Sequence, residues 1–159
     1  MDIKSLDIKK RNDIPIRKRE KAMATAKVKA VFACDVKKVW DIVTDLKEYS
    51  WRSDIERIEI LSGSRFVEYT KDGYATTFTI TAKEPLKRWE FDLENTNMRG
   101  HWTGIFSWQE NGTAIEFTEE VAVKKFFLKP FAGMYLKKQQ AAYIADLRQA
   151  CRDGGDFKN

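Results

Sequence analysis

The sequence predicts an α+β domain in which a curved antiparallel sheet of about six to seven strands wraps one long C-terminal helix, with two short helices after the first strand. Three observations carry this. From residue 55 to 124, apolar and polar residues alternate in run after run, as they do when one sheet face is covered and the other is wet. Asp72-Gly73 and Asn111-Gly112 fall between such runs, where hairpins turn. The chain then closes on a stretch of helical spacing that ends at Gly154-Gly155.

Each element follows in order. Ala24–Phe32 alternates, with Ala26, Val28, Ala30 and Phe32 on one face, and reads as a strand. Asp35 stands where an N-cap belongs, ahead of Val36, Val39, Trp40 and Val43 at amphipathic-helix spacing. A second short helix or turn runs from Leu46 to about Ser53 with Tyr49 and Trp51. Strands are expected at Ile55–Leu61, Arg65–Lys71, Tyr74–Ala82, Lys87–Glu94, Met98–Gln109 and Thr113–Lys124. Asn111-Gly112-Thr113 matches a glycosylation sequon, but it reads as a turn. Pro130 suits the first position of a helix covering Phe131 to about Cys151. Its apolar stripe is Ala132, Leu136, Gln140, Tyr143, Leu147 and Ala150.

Composition excludes several classes. The 159 residues are 43% hydrophobic and 33% charged, enough for a core without staples. Eight Gly and three Pro exclude collagen-like and Pro/Gly-rich disordered chains. Cys34 and Cys151 form no disulfide framework, which points to a reducing, cytoplasmic compartment. There is no apolar run of membrane-helix length, and the N-terminus lacks the core of a secretory signal. The net charge is +5, but residues 1–21 hold eight basic and four acidic groups, leaving +1 for the rest. A body so nearly neutral has no phosphate-tracking face, so no specific nucleic-acid partner is expected. Residues 1–22 read as a flexible basic extension, 23–153 as the folded domain and 154–159 as a disordered tail. The extension leaves two other readings open: contact with anionic lipid or RNA, and a functional start at Met23.

The inward face of the sheet is aromatic. Tyr74 and Phe78, then Trp89, Phe91 and Leu93, then Trp102, Phe106 and Trp108, then Ile115 and Phe117 alternate onto one side. With one helix to cover it, this face either packs as a solid core or leaves a cavity. Gly100 and Gly104 fall among the inward aromatics, where they would curve the sheet and leave space. Glu119 lies inward by register, and so does Glu68 if Phe66 and Thr70 share its face; Val67 and Tyr69 are the alternative inward set. A carboxylate is costly in a solid apolar core and tolerable in a cavity, or when paired with an inward Arg. The expected cavity lining is therefore Glu68, Tyr74, Phe78, Trp89, Phe91, Trp102, Gly104, Phe106, Phe117 and Glu119 from the sheet, facing Leu136, Gln140 and Tyr143 of the helix. Phe126-Phe127-Leu128, with Phe131 and Met134, either closes one end of the core or forms a pocket mouth or membrane-touching lid near Lys124, Lys125 and Lys129.

The strand Val28–Phe32 leads into Cys34-Asp-Val-Lys-Lys-Val-Trp-Asp-Ile-Val-Thr-Asp45 and then Tyr49-Ser-Trp-Arg52. Together with the closing Tyr135–Leu147 segment, this resembles the START-like, or SRPBCC, superfamily over residues 24–152. That group includes pollen-allergen-like ligand carriers, lipid-transfer domains and polyketide cyclase/dehydrase-like proteins, and the match is nearest to uncharacterised bacterial members. The resemblance implies a helix-grip fold with an internal cavity for an apolar or amphipathic ligand. It carries no catalytic motif across, and Asp35, Trp40, Asp45 and Trp51 read as structural within it.

The single histidine, His101, is expected on the outer face, so Ser/His/Asp and Cys/His nucleophilic schemes lack their central base. Two cysteines are too few for a Cys/His zinc site, and neither nucleotide-binding glycine motif occurs, so no metal or cofactor is expected. Glu68 and Glu119 are the only acid–base candidates. The leading reading is binding, transport or sequestration of a small hydrophobic molecule in a cavity of several hundred Å³. The alternatives are a cyclase- or dehydratase-type enzyme using the cavity carboxylates, and an interaction module working through its outer face and basic extension.

Overall fold

In the computed structural model the described residues are 23–153; the expected extension 1–22 and tail 154–159 lie outside them. The chain runs β1 (Met23–Phe32), α1 (Val36–Thr44), β2 (Ile55–Ile60), β3 (Arg65–Thr70), β4 (Ala75–Glu84), β5 (Arg88–Glu94), β6 (Met98–Gln109), β7 (Gly112–Val123), a 3₁₀ turn (Phe126–Leu128) and α2 (Lys129–Asp153). The seven strands form one antiparallel sheet in the order β1-β7-β6-β5-β4-β3-β2. Hairpins join β2 through β7, while α1 and residues 45–54 carry the chain from one sheet edge to the other. α2 crosses the inward face, giving the helix-grip arrangement expected from the sequence.

Local chemistry explains most boundaries. The Asp35 carboxylate accepts from the Lys38 amide at 2.9 Å and caps α1, whose Val39, Trp40 and Val43 are buried. The second short helix expected over Leu46–Ser53 does not form. Asp45 accepts from the amides of Lys47 and Glu48 at 2.9 and 3.1 Å, and Glu48 accepts from Ser50. These side-chain bonds compete with a helical ladder, and the segment stays a chain of turns. Gly73 takes a positive φ of 81° in the Asp-Gly turn between β3 and β4.

α2 begins two residues earlier than the pattern predicts and buries Ala132, Leu136, Gln140 and Leu147 of the expected stripe. Gln140 donates to the carbonyls of Ala26 (2.9 Å) and Phe117 (3.4 Å), bolting the middle of the helix to β1 and β7. Near its C-terminal end, Arg148 donates to the Val31 carbonyl and lies over the Phe32 ring. Lys38 Nζ donates to the Cys151 carbonyl at 2.6 Å, meeting the negative end of the helix dipole. Burial, with Cys34 beside it, pushes the Cys151 thiol up to about 12.

One expectation about the inward face is corrected, and at the β7–α2 joint one of two open alternatives falls away. Trp108, near the end of β6 where it pairs with Thr113 ahead of the Asn-Gly turn, is 68% exposed. The Phe126-Phe127-Leu128 cluster does not close the core: Phe126, Phe127, Phe131 and Met134 are exposed, Phe126 by 81%. They sit on the 3₁₀ turn and outer side of α2, while Ala132 and Leu136 take the inner side.

The outer face carries His101 as expected, held between Asp92 (Nδ1, 2.7 Å) and Glu90 (Nε2, 2.6 Å) across the β5–β6 ladder. Partial burial works against the imidazolium, but the bonds and charges of Asp92 and Glu90 outweigh it and hold its pKa above 6.5. The resulting stabilisation is complete below about pH 6.5 and lost as pH rises through the raised value. A ring-proton NMR titration of His101 is expected to give a midpoint above 6.5, and Asp92→Asn should move it down; an unchanged midpoint in that variant would remove the assigned cause.

Candidate functional site

A cleft of about 160 Å³ lies between the concave sheet face, residues 45–54 and the α2 side chains Tyr135, Gln139 and Tyr143. A wider hollow of about 770 Å³ beside α1 is lined largely by charged, polar side chains such as Asp35, Lys37 and Asp41, and has no aromatic wall comparable to that of the cleft. The chemistry is concentrated in the smaller space.

Of the residues expected to line a cavity, Glu68, Tyr74, Phe78, Trp89, Phe91, Trp102, Phe117, Glu119 and Tyr143 stand around this cleft. Four do not. Phe106 packs edge-on against Trp40 of α1 at 5.0 Å, and Leu136 is fully buried in the core. Gln140 is spent on the two carbonyls described above. Gly104 does not leave open space: a Cβ there would meet Trp102 Cη2 at 2.4 Å and Cζ3 at 2.7 Å, because the indole already lies over it. Gly100 likewise serves close approach, a Cβ meeting the Glu120 carbonyl oxygen at 2.1 Å.

The same indole explains why the cavity is smaller than expected. Phe91 stacks on Trp102 at 4.7 Å and 3°, Phe66 stacks on Phe78 at 5.0 Å, and Trp89 meets Phe91 edge-on at 5.2 Å. The aromatics interlock with one another instead of standing apart around a void. The remaining volume compares with the ~150 Å³ apolar cavity that accommodates benzene.

β3 turns Phe66, Glu68 and Thr70 toward the cleft, resolving its ambiguous register. Glu68 is held by Arg52, whose Nη1 lies 3.2 and 3.3 Å from its two carboxylate oxygens. Arg52 also forms a two-point pair with Asp54 at 3.1 and 3.0 Å and lies over the Tyr143 ring at 4.9 Å. Burial disfavours its charge, yet Glu68, Tyr143 and Asp54 outweigh that and raise its pKa. Arg52 is the functional candidate missed in the sequence. Its only local signal is its place after Trp51 in a turn, which reads as surface until the turn folds over the sheet. Ser53 fixes that turn to α2 through bonds from its amide and hydroxyl to Asp146.

Glu119 sits on β7 between Ala26 of β1 and Trp102 of β6, facing the cleft, and Arg52 is committed to Glu68 and Asp54 instead of pairing with it. Burial, reinforced by the Glu68 charge, pushes its carboxyl up to about 7. Near neutral pH, therefore, one cleft carboxylate is locked to an arginine while the other retains a substantial protonated fraction. Trp51 and Trp89 add two buried indole N–H groups that have no hydrogen-bond partner among the described residues. Donors left in this state are satisfied when a ligand brings acceptors. Among the described residues, no group of three or more His, Cys, Asp or Glu side chains is placed to hold a metal ion.

The sequence matches the family described as polyketide cyclase/dehydrase and lipid transport over residues 23–152. Solved structures with the same fold include a START superfamily protein from Mycobacterium smegmatis (TM-score 0.72, 13% identity, covering 82% of this chain and 97% of that one). The Zhui aromatase/cyclase from Streptomyces sp. R1128 superposes with a TM-score of 0.73 at 10% identity, over 82% of this chain and 94% of its own. A protein from Arthrobacter aurescens does so with a TM-score of 0.66 at 17% identity, over 81% and 86%. No curated protein matches by sequence.

Two predictions follow from the carboxylates. Below about pH 4.5, Glu119 is protonated in folded and unfolded chains alike. Between there and about pH 7 the unfolded chain releases the proton while the fold retains it. Stability therefore falls with rising pH by a total on the order of 3 kcal/mol, after which the cost is constant. Glu119→Gln is expected to match the parent near pH 4 and exceed it by about 1–3 kcal/mol at pH 8 in urea unfolding; a less stable variant at pH 8 would show a hidden partner. Arg52→Met should cost about 3–5 kcal/mol by leaving Glu68 unpaired, and Arg52→Met/Glu68→Met should recover much of it.

Proposed function

The chain belongs to the polyketide cyclase/dehydrase and lipid transport family, and on that premise we propose that it binds a small amphipathic molecule in the cleft between sheet and α2. The observation that carries this reading is a polar set inside an aromatic wall: Glu119 facing the cleft and, among the described residues, without a basic partner, with two cleft-lining tryptophans whose buried indole N–H groups have no partner among those residues. A protein with no use for such a cleft gains stability by replacing these groups with apolar ones. The ligand suited to it has a ring-sized apolar part and carries acceptor oxygens, carbonyl or ether, at one end. The indoles and protonated Glu119 donate to those oxygens, while Phe78, Phe91 and Trp102 contact the apolar part.

One feature favours a second reading, acid–base catalysis on the bound molecule. Glu119, which burial keeps partly protonated near neutral pH, shares the cleft with the arginine-held Glu68, and a proton donor with a second carboxyl group beside the bound molecule is what a dehydration or cyclisation draws on. In this reading Glu119→Gln loses turnover and keeps binding.

Thermal scanning against single-ring phenols, quinones, aromatic ketones and short-chain fatty acids, with fluorescence of Trp51, Trp89 and Trp102 as the second readout, tests binding. A ligand at a hundredfold excess over Kd stabilises by about 2.7 kcal/mol, which for a chain of this length is an upshift of roughly 5–11 °C. Affinity for an acceptor-bearing ligand is expected to fall as pH rises through about 7, where Glu119 loses its proton, and Glu119→Gln should flatten that dependence. If no compound moves either the midpoint or the fluorescence, the ligand-binding reading fails.

A further inference from the structure

At the joint between β7 and α2 the surface is apolar and basic at once. Phe126, Phe127, Phe131 and Met134 are 57–81% exposed, and Tyr135, 46% exposed, both joins this patch and lines the cleft. From Val121 to Ala145 the chain contains five lysines and no Asp or Glu. One of them, Lys124, is paired with Glu94 at 3.0 Å; Lys125, Lys129, Lys137 and Lys138 are exposed on the turn and helix. β1 begins at the same end, Met23 pairing with Ala122, and the 21 residues that open the sequence hold twice as many basic as acidic groups.

We propose that this joint is a docking surface for an anionic lipid bilayer, with the mouth of the cleft opening onto it at Tyr135. The charge selects the partner. A second copy of the chain would bring lysines against lysines, and the chain's own N-terminal residues carry the same sign, so neither complements the patch. An anionic membrane surface does, attracting each nearby Lys by about 1 kcal/mol at its surface potential. The shape selects it too. Phe126 at 81% exposure projects outward instead of lining a groove, and a fluid acyl layer takes projecting rings without a shaped counterpart. Apolar rings flanked by lysines are the composition of segments that lie in the interface plane. This docking does not depend on the ligand reading: it is measured with no ligand present, and either can fail alone.

The test is co-sedimentation of the full chain with phosphatidylcholine vesicles, with and without phosphatidylglycerol. Binding is expected only when phosphatidylglycerol is present and should weaken with added salt. Lys125→Gln and Lys129→Gln should each lower the partition coefficient about fivefold, and Phe126→Ser/Phe127→Ser about tenfold or more. All four side chains are exposed, so each variant should keep the parent melting curve, which checks its fold. No sedimentation with anionic vesicles overturns the proposal. So does binding indifferent to Phe126→Ser/Phe127→Ser, which would reduce it to nonspecific attraction by charge. A dimer in light scattering that the same double substitution dissociates overturns it as well, because the patch then covers a second copy.

Discussion

A helix of 25 residues laid across a seven-stranded sheet can cover only part of it, and where α2 is held decides what the rest of the concave face becomes. The fixing point is Gln140, a buried amide bonded to carbonyls of β1 and β7, flanked along the helix by fully buried Leu136 and Leu147. α2 therefore lies toward the β1–β7 edge. The β3–β5 part of the face is left to the turns of residues 45–54, which reach it through Arg52 against Glu68 and are tied to α2 by Trp51 against Tyr143 and Ser53 against Asp146. The cleft is the seam between these two covers. Loss of the Gln140 bonds would remove the pin at the middle of α2, leaving its C-terminal half to the Arg148–Val31, Lys38–Cys151 and Ser53–Asp146 bonds.

Within that seam, aromatic packing and burial of carboxylates pull against each other. Phe66, Phe78, Trp89, Phe91, Trp102 and Phe117 gain most when they interlock, and they do, which shrinks the space. Glu68 and Glu119 are least costly when they keep water or a partner. Arg52 resolves the conflict for Glu68, and a raised pKa resolves it for Glu119. The outcome is a small, donor-rich, mostly aromatic cleft, an arrangement suited to one end of an amphipathic molecule and poorly suited to a plain hydrocarbon.

The charge layout separates the two faces of the molecule. On the outer face, His101 with Glu90 and Asp92, and Lys27 and Lys29 with Glu116, neutralise one another across adjacent strands. At the β7–α2 joint Lys124 is paired with Glu94, while Lys125, Lys129, Lys137 and Lys138 stand exposed beside the phenylalanines with no Asp or Glu between Val121 and Ala145. A nearly neutral body thus carries one concentrated positive, apolar end, beside the opening of its cleft.

Alternation by itself determined the strands, the inward faces of all but β3 and the end of β6, and the long helix, because period-2 and helical spacing are local properties that covering one face of a sheet imposes on the residues beneath the cover. It was enough to place Glu119, Trp102 and Tyr143 around one space. Tertiary structure alone decided the remainder. Whether Gly104 opens a void depends on where the Trp102 indole folds, and it folds over the glycine. Leu46–Ser53 became turns because the Asp45 carboxylate bonds the amides that follow it. Arg52 reached Glu68, sixteen residues away, only because those turns cross the sheet. Phe126 and Phe127 read in sequence either as a core plug or as a mouth or lid, and the structure leaves them exposed while Ala132 and Leu136 fill the inner side of α2. In each case the deciding quantity is a distance between residues remote in sequence or the outcome of a competition for the same space, and neither is written in the local pattern.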